Sequence, residues 1–453
     1  MRATCLFLSL GLALGGCAGH AARTEGARTA LDEGVPDQAL ALLDEQLDVQ
    51  KPSELPEKVG GDNALLLLDR AMVLQQIAST GREASAKTYA LSSRDLEIAD
   101  KQVEILDLSR GAMDDVGKYL FSDATGPYKA PTYEKLMINT MNMVNYLARG
   151  DLQGAKVEAR RLAVMQKFID EHEGRGASLS GPGSYLAGFA FEKGGDASEA
   201  LRFYDEALQY GSFPSLSEPI VRLSKKASYR SPRITEILRA EGDGEKGTPA
   251  DDSAELIVVM GLGRVPAKVA KRIPIGLALT LVSGALSPND VNKANYLAAQ
   301  GLVTWINYPE LGEPRGRYGT PGFALDGAWQ DLEGALAVDE EAKHAWDDAK
   351  GTVVASAITR MIARVAAGEI VRQSTGGGVV GALLSLGTQA TLTAVDTPDT
   401  RSWSTLPARI AIGRVRVAPG THYVDLQERG VRRRRTVTLA PGGWALLNMT
   451  VLR

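Results

Sequence analysis

The chain has 453 residues, 44% of them hydrophobic and 23% charged, with a formal net charge of -4. That is the composition of an ordinary globular protein. It supplies no global positive field for nucleic acid, and its length exceeds what one core usually organises. With two cysteines and four histidines, it has little material for thiolate, metal or acid–base chemistry.

Residues 1–17 read MRATCLFLSLGLALGGC. Arg2, a mostly apolar run of about ten residues and the small pair Gly15 and Gly16 have the layout of a secretory signal. The run is too short to cross a bilayer, which takes about 20 apolar residues. Leu14, Gly15, Gly16 and Cys17 resemble the lipoprotein signal-peptide motif. That resemblance implies cleavage after residue 16 and acyl chains on Cys17, and several chains together give stable anchoring. The alternative is an ordinary signal that ends near a cysteine. Ala18, standing where an aspartate would favour inner-membrane retention, points by the same resemblance to the outer membrane. Cys5 would leave with the signal. Cys17 is then the one cysteine remaining, with attachment as its role, and no disulfide or thiolate metal site is expected.

From residue 17 to 240 the pattern is helical. Three stretches share one layout: an apolar helix, a break with glycine and aspartate, and a second helix with an early alanine on its packing face. The clearest is 183–211, where Gly188 and Phe191 precede the break Gly194-Gly195-Asp196 and Ala200, Tyr204 and Ala207 follow at helical spacing. This resembles the tetratricopeptide repeat, a helix–turn–helix unit. Residues 142–164 (Tyr146, Ala155, Ala159, Leu162) and 25–47 (Ala27, Ala39, Leu43) match more weakly. The stretches are not contiguous, so the expectation is an irregular helical scaffold, with ordinary helix stops as the alternative. Such stacked pairs often present a concave surface to a peptide or protein. Glu171, His172 and Glu173 do not form HExxH, because Gly176 stands where the second histidine is required.

Residues 241–252 are polar and turn-rich and read as a linker. Glu255 to Met260 suits a buried strand. The following Gly261-Leu262-Gly263 lacks the third glycine of a dinucleotide-binding turn, so it reads as a plain turn. Two uncharged segments stand out, 273–287 and 374–395. Both are interrupted by Gly, Ser or Thr, unlike a spanning helix. They suit either core packing or a membrane-contacting or oligomer-forming surface. An amphipathic helical pattern over 353–373 precedes the second.

From residue 399 the chain is β-rich, with Pro-Gly turns at 419–420 and 441–442. Arg432 to Arg435 lie in a strand-like run, so they should alternate between the two faces. They suit pairing with Asp425 and Glu428, or contact with an anionic lipid, a lipopolysaccharide phosphate or a glycan.

Taken together, the Cys17 motif, NYLARGDLQGAKVEARR, ELIVVMGLGRVPAKVAKRIPI and the 399–426 block resemble an uncharacterised family of Gram-negative outer-membrane lipoproteins with tetratricopeptide-like helix pairs. In the last block the matching residues include Asp399, Thr400, Arg401, Ser402, Trp403, Leu406, Pro407, Arg414, Pro419 and Gly420. The resemblance covers most of the chain and carries no catalytic, cofactor or metal residues.

The expected fold is α+β: a signal peptide (1–16), a tetratricopeptide-like helical domain (17–240), a mixed region (241–398) and a small β-rich domain (399–453). The expected function is a membrane-tethered periplasmic scaffold or adaptor, held to the bilayer through Cys17 and binding a protein partner through its helices. Nucleic acid is not expected as a partner. One alternative is an oligomeric envelope-assembly or export component. Another is a cell-wall or lipid-modifying enzyme using His344 or the acid pairs Glu340–Glu341 and Asp347–Asp348. Adjacent residues diverge on a helix, and no GxSxG or HExxH nucleophile or metal motif supports such an enzyme.

Overall fold

The computed structural model describes residues 19–81, 85–108, 128, 130–172, 180–241, 252–282, 284–301, 305–313, 321–374, 398–428 and 431–453. Stacked helices come first: α1 (His20–Asp32), α2 (Pro36–Gln46), α3 (Asp62–Ala78), α4 (Ser85–Leu108), α5 (Thr132–Ala148), α6 (Leu152–His172), α7 (Gly181–Lys193) and α8 (Ala197–Tyr210), then the short α9 (Ser217–Ser224) and α10 (Pro232–Glu241). Among the described residues no helix is long and apolar enough to cross a membrane.

The three glycine–aspartate breaks share one turn. Gly34, Gly150 and Gly195 all sit at positive φ, where only glycine is at ease. In each, the next N–H reaches back five residues to a helical carbonyl: Val35 to Ala30, Asp151 to Tyr146 and Asp196 to Phe191, each at 2.9 Å. This is a Schellman stop, which satisfies a carbonyl the helix end would orphan. Asp151 and Asp196 then cap the following helices, accepting from the N–H groups of Gly154 and Glu199. Gly188 meets the face of Tyr204 so closely that a Cβ would lie 2.4 Å from the ring. The small residue therefore sets the α7–α8 spacing.

The strands of the described residues follow: β1 (Ala254–Leu262), β2 (Lys268–Pro274), β3 (Trp305–Leu311), β4 (Gly322–Leu325), β5 (Ala328–Asp331), β6 (Glu333–Ala337), β7 (Arg409–Val417), β8 (Gly420–Glu428), β9 (Val431–Leu439) and β10 (Trp444–Val451). One sheet has the order β10-β1-β7-β6 and a second β5-β4-β8-β9. β1 runs parallel to β10 and antiparallel to β7. The first sheet thus takes strands from both sides of residue 398: β7 pairs with β1 and β6, and β10 with β1.

Every residue of β1 is buried, as a strand covered on both faces requires. Ile257 and Val259, with Ile410, Ile412 and Leu446, pack into the helical core. Leu256, Val258, Met260 and Leu262 face the second sheet, against Phe323, Val424 and Leu426. The alternation of side chains along a strand makes this three-layer order of helices, sheet and sheet. Gly261 belongs to β1, and Gly263 is the residue that turns, at positive φ. The chain continues into β2, with no phosphate-binding helix after it.

A separate small core joins β2 and β3 to α11 (Ile275–Leu281), α12 (Pro288–Ala299) and α13 (Val338–Ser374), through residues such as Ile273, Ile306, Tyr308, Trp346 and Ile358. The uncharged 273–287 segment contributes Ile275, Ala278 and Val282 to this core and leaves Leu277 exposed.

Candidate functional site

The helices and the first sheet meet through two polar junctions. The first is built around residues 399–408, a segment without helix or strand in which every residue after the half-buried Asp399, Trp403 and Leu406 among them, is buried. Buried main chain outside regular structure must find partners elsewhere. Two acids from the helices supply them. Asp69, in the apolar run of α3, accepts from the Thr405 N–H at 3.0 Å, the Thr405 hydroxyl at 2.9 Å, the Ser404 hydroxyl at 3.2 Å and Nε2 of His20 at 3.0 Å. Glu134, at the start of α5, accepts from the Trp403 N–H at 2.9 Å and from the Tyr128 and Tyr133 hydroxyls. Burial raises the Glu134 carboxyl above its usual range, against the opposing pull of the Tyr128 hydroxyl, the Trp403 N–H and the Lys268 charge. Arg401 forks onto Asp399 at 2.7 and 2.8 Å. Burial also lowers the Lys268 ammonium, with Asp399 and Glu134 acting in the opposite direction.

The second junction is ionic. Arg414 of β7 reaches Glu192 of α7 at 2.7 Å and Glu255 of β1 through Nε at 2.8 Å. Arg222 bridges the same two acids at 2.8 and 3.0 Å, and Lys193 does so at 3.2 and 3.0 Å. The Tyr204 hydroxyl donates to Glu192 at 2.6 Å and accepts from Arg414 at 2.9 Å. Burial alone would raise both carboxyls. The Arg414, Lys193 and Arg222 charges outweigh it and hold both below the usual range.

Both junctions tie the helices to the first sheet; the outer surface of the helices has a different character. On α6, Ala155, Ala159 and Leu162 face the core. Val157, Arg160, Val164 and Phe168 recur at three- and four-residue steps on the opposite side. Val157 is 49% exposed, Val164 71% and Phe168 36%. Arg160 and Lys167 are exposed on the same side. α6 therefore presents an outward stripe that is apolar and basic.

Cys17 lies outside the described residues, as do 375–395 of the uncharged segment and Glu173; Ser374 ends α13. His172 is the last residue of α6. His344, Glu340, Asp347 and Asp348 are exposed on α13, where Glu340 lies 3.3 Å from Arg409, so these groups do not converge in a cleft. Among the described residues there is no cluster of three or more His, Cys, Asp or Glu suited to a metal. The four arginines of β9 divide by parity. Arg432 and Arg434 bond Asp425 at 2.8 to 2.9 Å, while Arg433 and Arg435 turn toward Ser79 at the end of α3.

Sequence reasoning passed over Asp69, Glu134, Glu192 and Glu255. For Asp69, Glu192 and Glu255 the signal was a charge inside or beside an apolar run, in LLLLDRAMVL, FAFEK and AELIVVM, whereas Glu134 in PTYEKLM gave none. It also missed the α6 stripe, where Val157 and Val164 stand out of phase with the core-facing positions. No family model, curated protein or solved structure matches the sequence.

Proposed function

We propose that the chain is a membrane-tethered scaffold or adaptor lipoprotein on the periplasmic face of the outer membrane. It is held by acyl chains on Cys17 and binds a protein partner through its helices. The three hairpins are read as tetratricopeptide-like units, a reading supported by their common turn geometry.

The observation that carries the proposal is the outward stripe of α6. Val157 and Val164 are exposed on a helix whose other face is fully packed. Apolar residues aligned on one helix face are the usual anchor for a partner helix. Arg160 and Lys167 beside them favour a partner segment that is apolar and acidic, since complementary charge selects partners and speeds encounter.

The anchor also constrains pose. Three peptide steps separate Cys17 from His20, and they span at most about 10 Å. His20 is buried against Asp69. An acylated Cys17 would therefore hold the N-terminal end of α1 close to the headgroups, with little freedom to swing away.

A photo-crosslinking residue at position 164 in the native, full-length protein tests the partner. One reproducible protein adduct from intact membranes is the expected result. Lipid adducts alone would overturn the adaptor reading. Cys17→Ser tests the anchor separately, by moving the protein from the membrane to the soluble periplasmic fraction.

A further inference from the structure

We propose that Arg433 and Arg435 form a binding site for a phosphate oxyanion at the end of α3. The argument begins with the contrast along β9. Arg432 and Arg434 share Asp425. Arg433 and Arg435 point to the other face, and among the described residues neither pairs with a carboxylate. Their partners are neutral. Arg433 donates to the Ser79 hydroxyl at 2.7 Å, and Arg435 donates to the carbonyls of Ser79 and Arg434.

The end of α3 explains part of this arrangement. A helix C-terminus carries about half a negative charge and attracts cations. Among the described residues the two guanidiniums bring two full positive charges to it, so a surplus remains. Arg453 adds to the repulsion felt by Arg433. Burial first, then Arg435 and Arg453, lower the Arg433 guanidinium to about 10. Burial likewise lowers Arg435. Tyr89, buried beside them, is pushed up to about 12 by its own burial, so it is a neutral hydroxyl and supplies no counter-charge.

The geometry suits an oxyanion. Each guanidinium has five N–H donors. Arg433 uses one here and Arg435 two, and no nitrogen of either is sealed from solvent without a partner. Both side chains are half-buried, two residues apart on one strand face. Gly81 lies against Arg435 so closely that a Cβ would come within 2.5 Å of Cζ, so the missing side chain there makes room for that guanidinium. Paired, oriented arginines recognise phosphate by charge-assisted, forked hydrogen bonds. The ligand is either a phospholipid or lipopolysaccharide phosphate, or a soluble phosphate.

The test titrates the mature protein with inorganic phosphate, followed by calorimetry and by the rise in Tm. Arg433→Gln and Arg435→Gln should each weaken binding about tenfold or more, the value of one charge-assisted hydrogen bond. Arg432→Gln and Arg434→Gln make the same charge change beside Asp425 and should alter it less than about twofold. Equal losses in all four variants, or no phosphate-dependent rise in Tm in the wild type, would overturn the site. Should a Gln variant fail to fold, Arg433→Lys and Arg435→Lys keep the charge and lose the fork, and undiminished phosphate binding by both also overturns it.

Flotation of Cys17→Ser protein with phosphatidylglycerol or phosphatidylcholine vesicles separates the sources. Arg433-dependent capture by the anionic vesicles identifies lipid phosphate, and binding of free phosphate alone identifies a soluble ligand. Neither arm depends on the acyl anchor or on α6, so these results stand apart from those on the adaptor reading.

Discussion

The two junctions between the helices and the first sheet bury acids at similar depth but neutralise them differently. At the ionic junction Glu192 and Glu255 are met by Arg414, Arg222 and Lys193, and their carboxyls are held low. At the 399–408 junction Glu134 is met by a main-chain N–H and two tyrosine hydroxyls, with the Lys268 charge as its one opposing cation, and burial holds its carboxyl high. Burial pushes both kinds of acid upward, and it is reversed where three cations converge on the pair but not where Lys268 acts alone on Glu134. The ionic junction therefore ties secondary elements to one another, while the other satisfies the backbone of a segment that has no regular structure of its own.

The comparison breaks most sharply at Arg414. Arg414→Met leaves Glu192 and Glu255 buried with their most central cation gone, and should cost about 3 to 5 kcal/mol in urea unfolding. It should also change the pH response. Both acids are lowered from 4.5 in the fold. Their contribution is present above that value and is lost as pH falls through the lower folded values. In the variant, this loss on acidification should shrink.

Glu134→Ala should come next, at about 2 to 4 kcal/mol, because it strands the Trp403 N–H and a buried hydroxyl. The pH sign is opposite here. Glu134 is raised from 4.5, so its contribution is full below that value and is lost as pH rises through the folded value. Glu134→Gln keeps an acceptor for Trp403 and should flatten that upper limb in a pH series of denaturant midpoints.

A fourth buried acid sharpens the comparison. Glu158 of α6 accepts from Asn139 at 2.9 Å and lies 3.6 Å from Arg161, yet burial pushes it up to about 7. Its contribution is full below 4.5 and is lost by about pH 7. Glu158→Gln should therefore stabilise the protein at pH 8 by about 2 kcal/mol, measured by urea unfolding. The smallest expected effect on stability is Val164→Asp. On an exposed face it should change stability by less than about 0.5 kcal/mol. The same variant should abolish a crosslink placed at position 157, which separates a contact surface from a structural one.

Local features were legible where the physics is local. The three helix stops were visible as glycine–aspartate breaks, because a left-handed residue ends a helix wherever it stands. Gly188, Ala200, Tyr204 and Ala207 could be placed on a packing face from their spacing, and all three larger residues are buried. Glu255 to Met260 reads as a buried strand from its run of apolar residues, and the alternation of Arg432 to Arg435 follows from strand geometry. The pairing of β1 with β10 was not legible. Strand partners far apart in sequence leave no local periodicity, so β1 in the middle region and β10 at the end looked like parts of separate units.

The sequence by itself determined the helical first half and the alternating strands at the end, because each depends on the order of neighbouring residues. Only the tertiary structure decided which charges are buried, which arginines of β9 are paired and which face of α6 is left outward. Burial and charge neutralisation depend on groups brought together from distant parts of the chain. A carboxylate in α7, an arginine in β7 and a glutamate in β1 acquire a common role only when the helices close over the sheet.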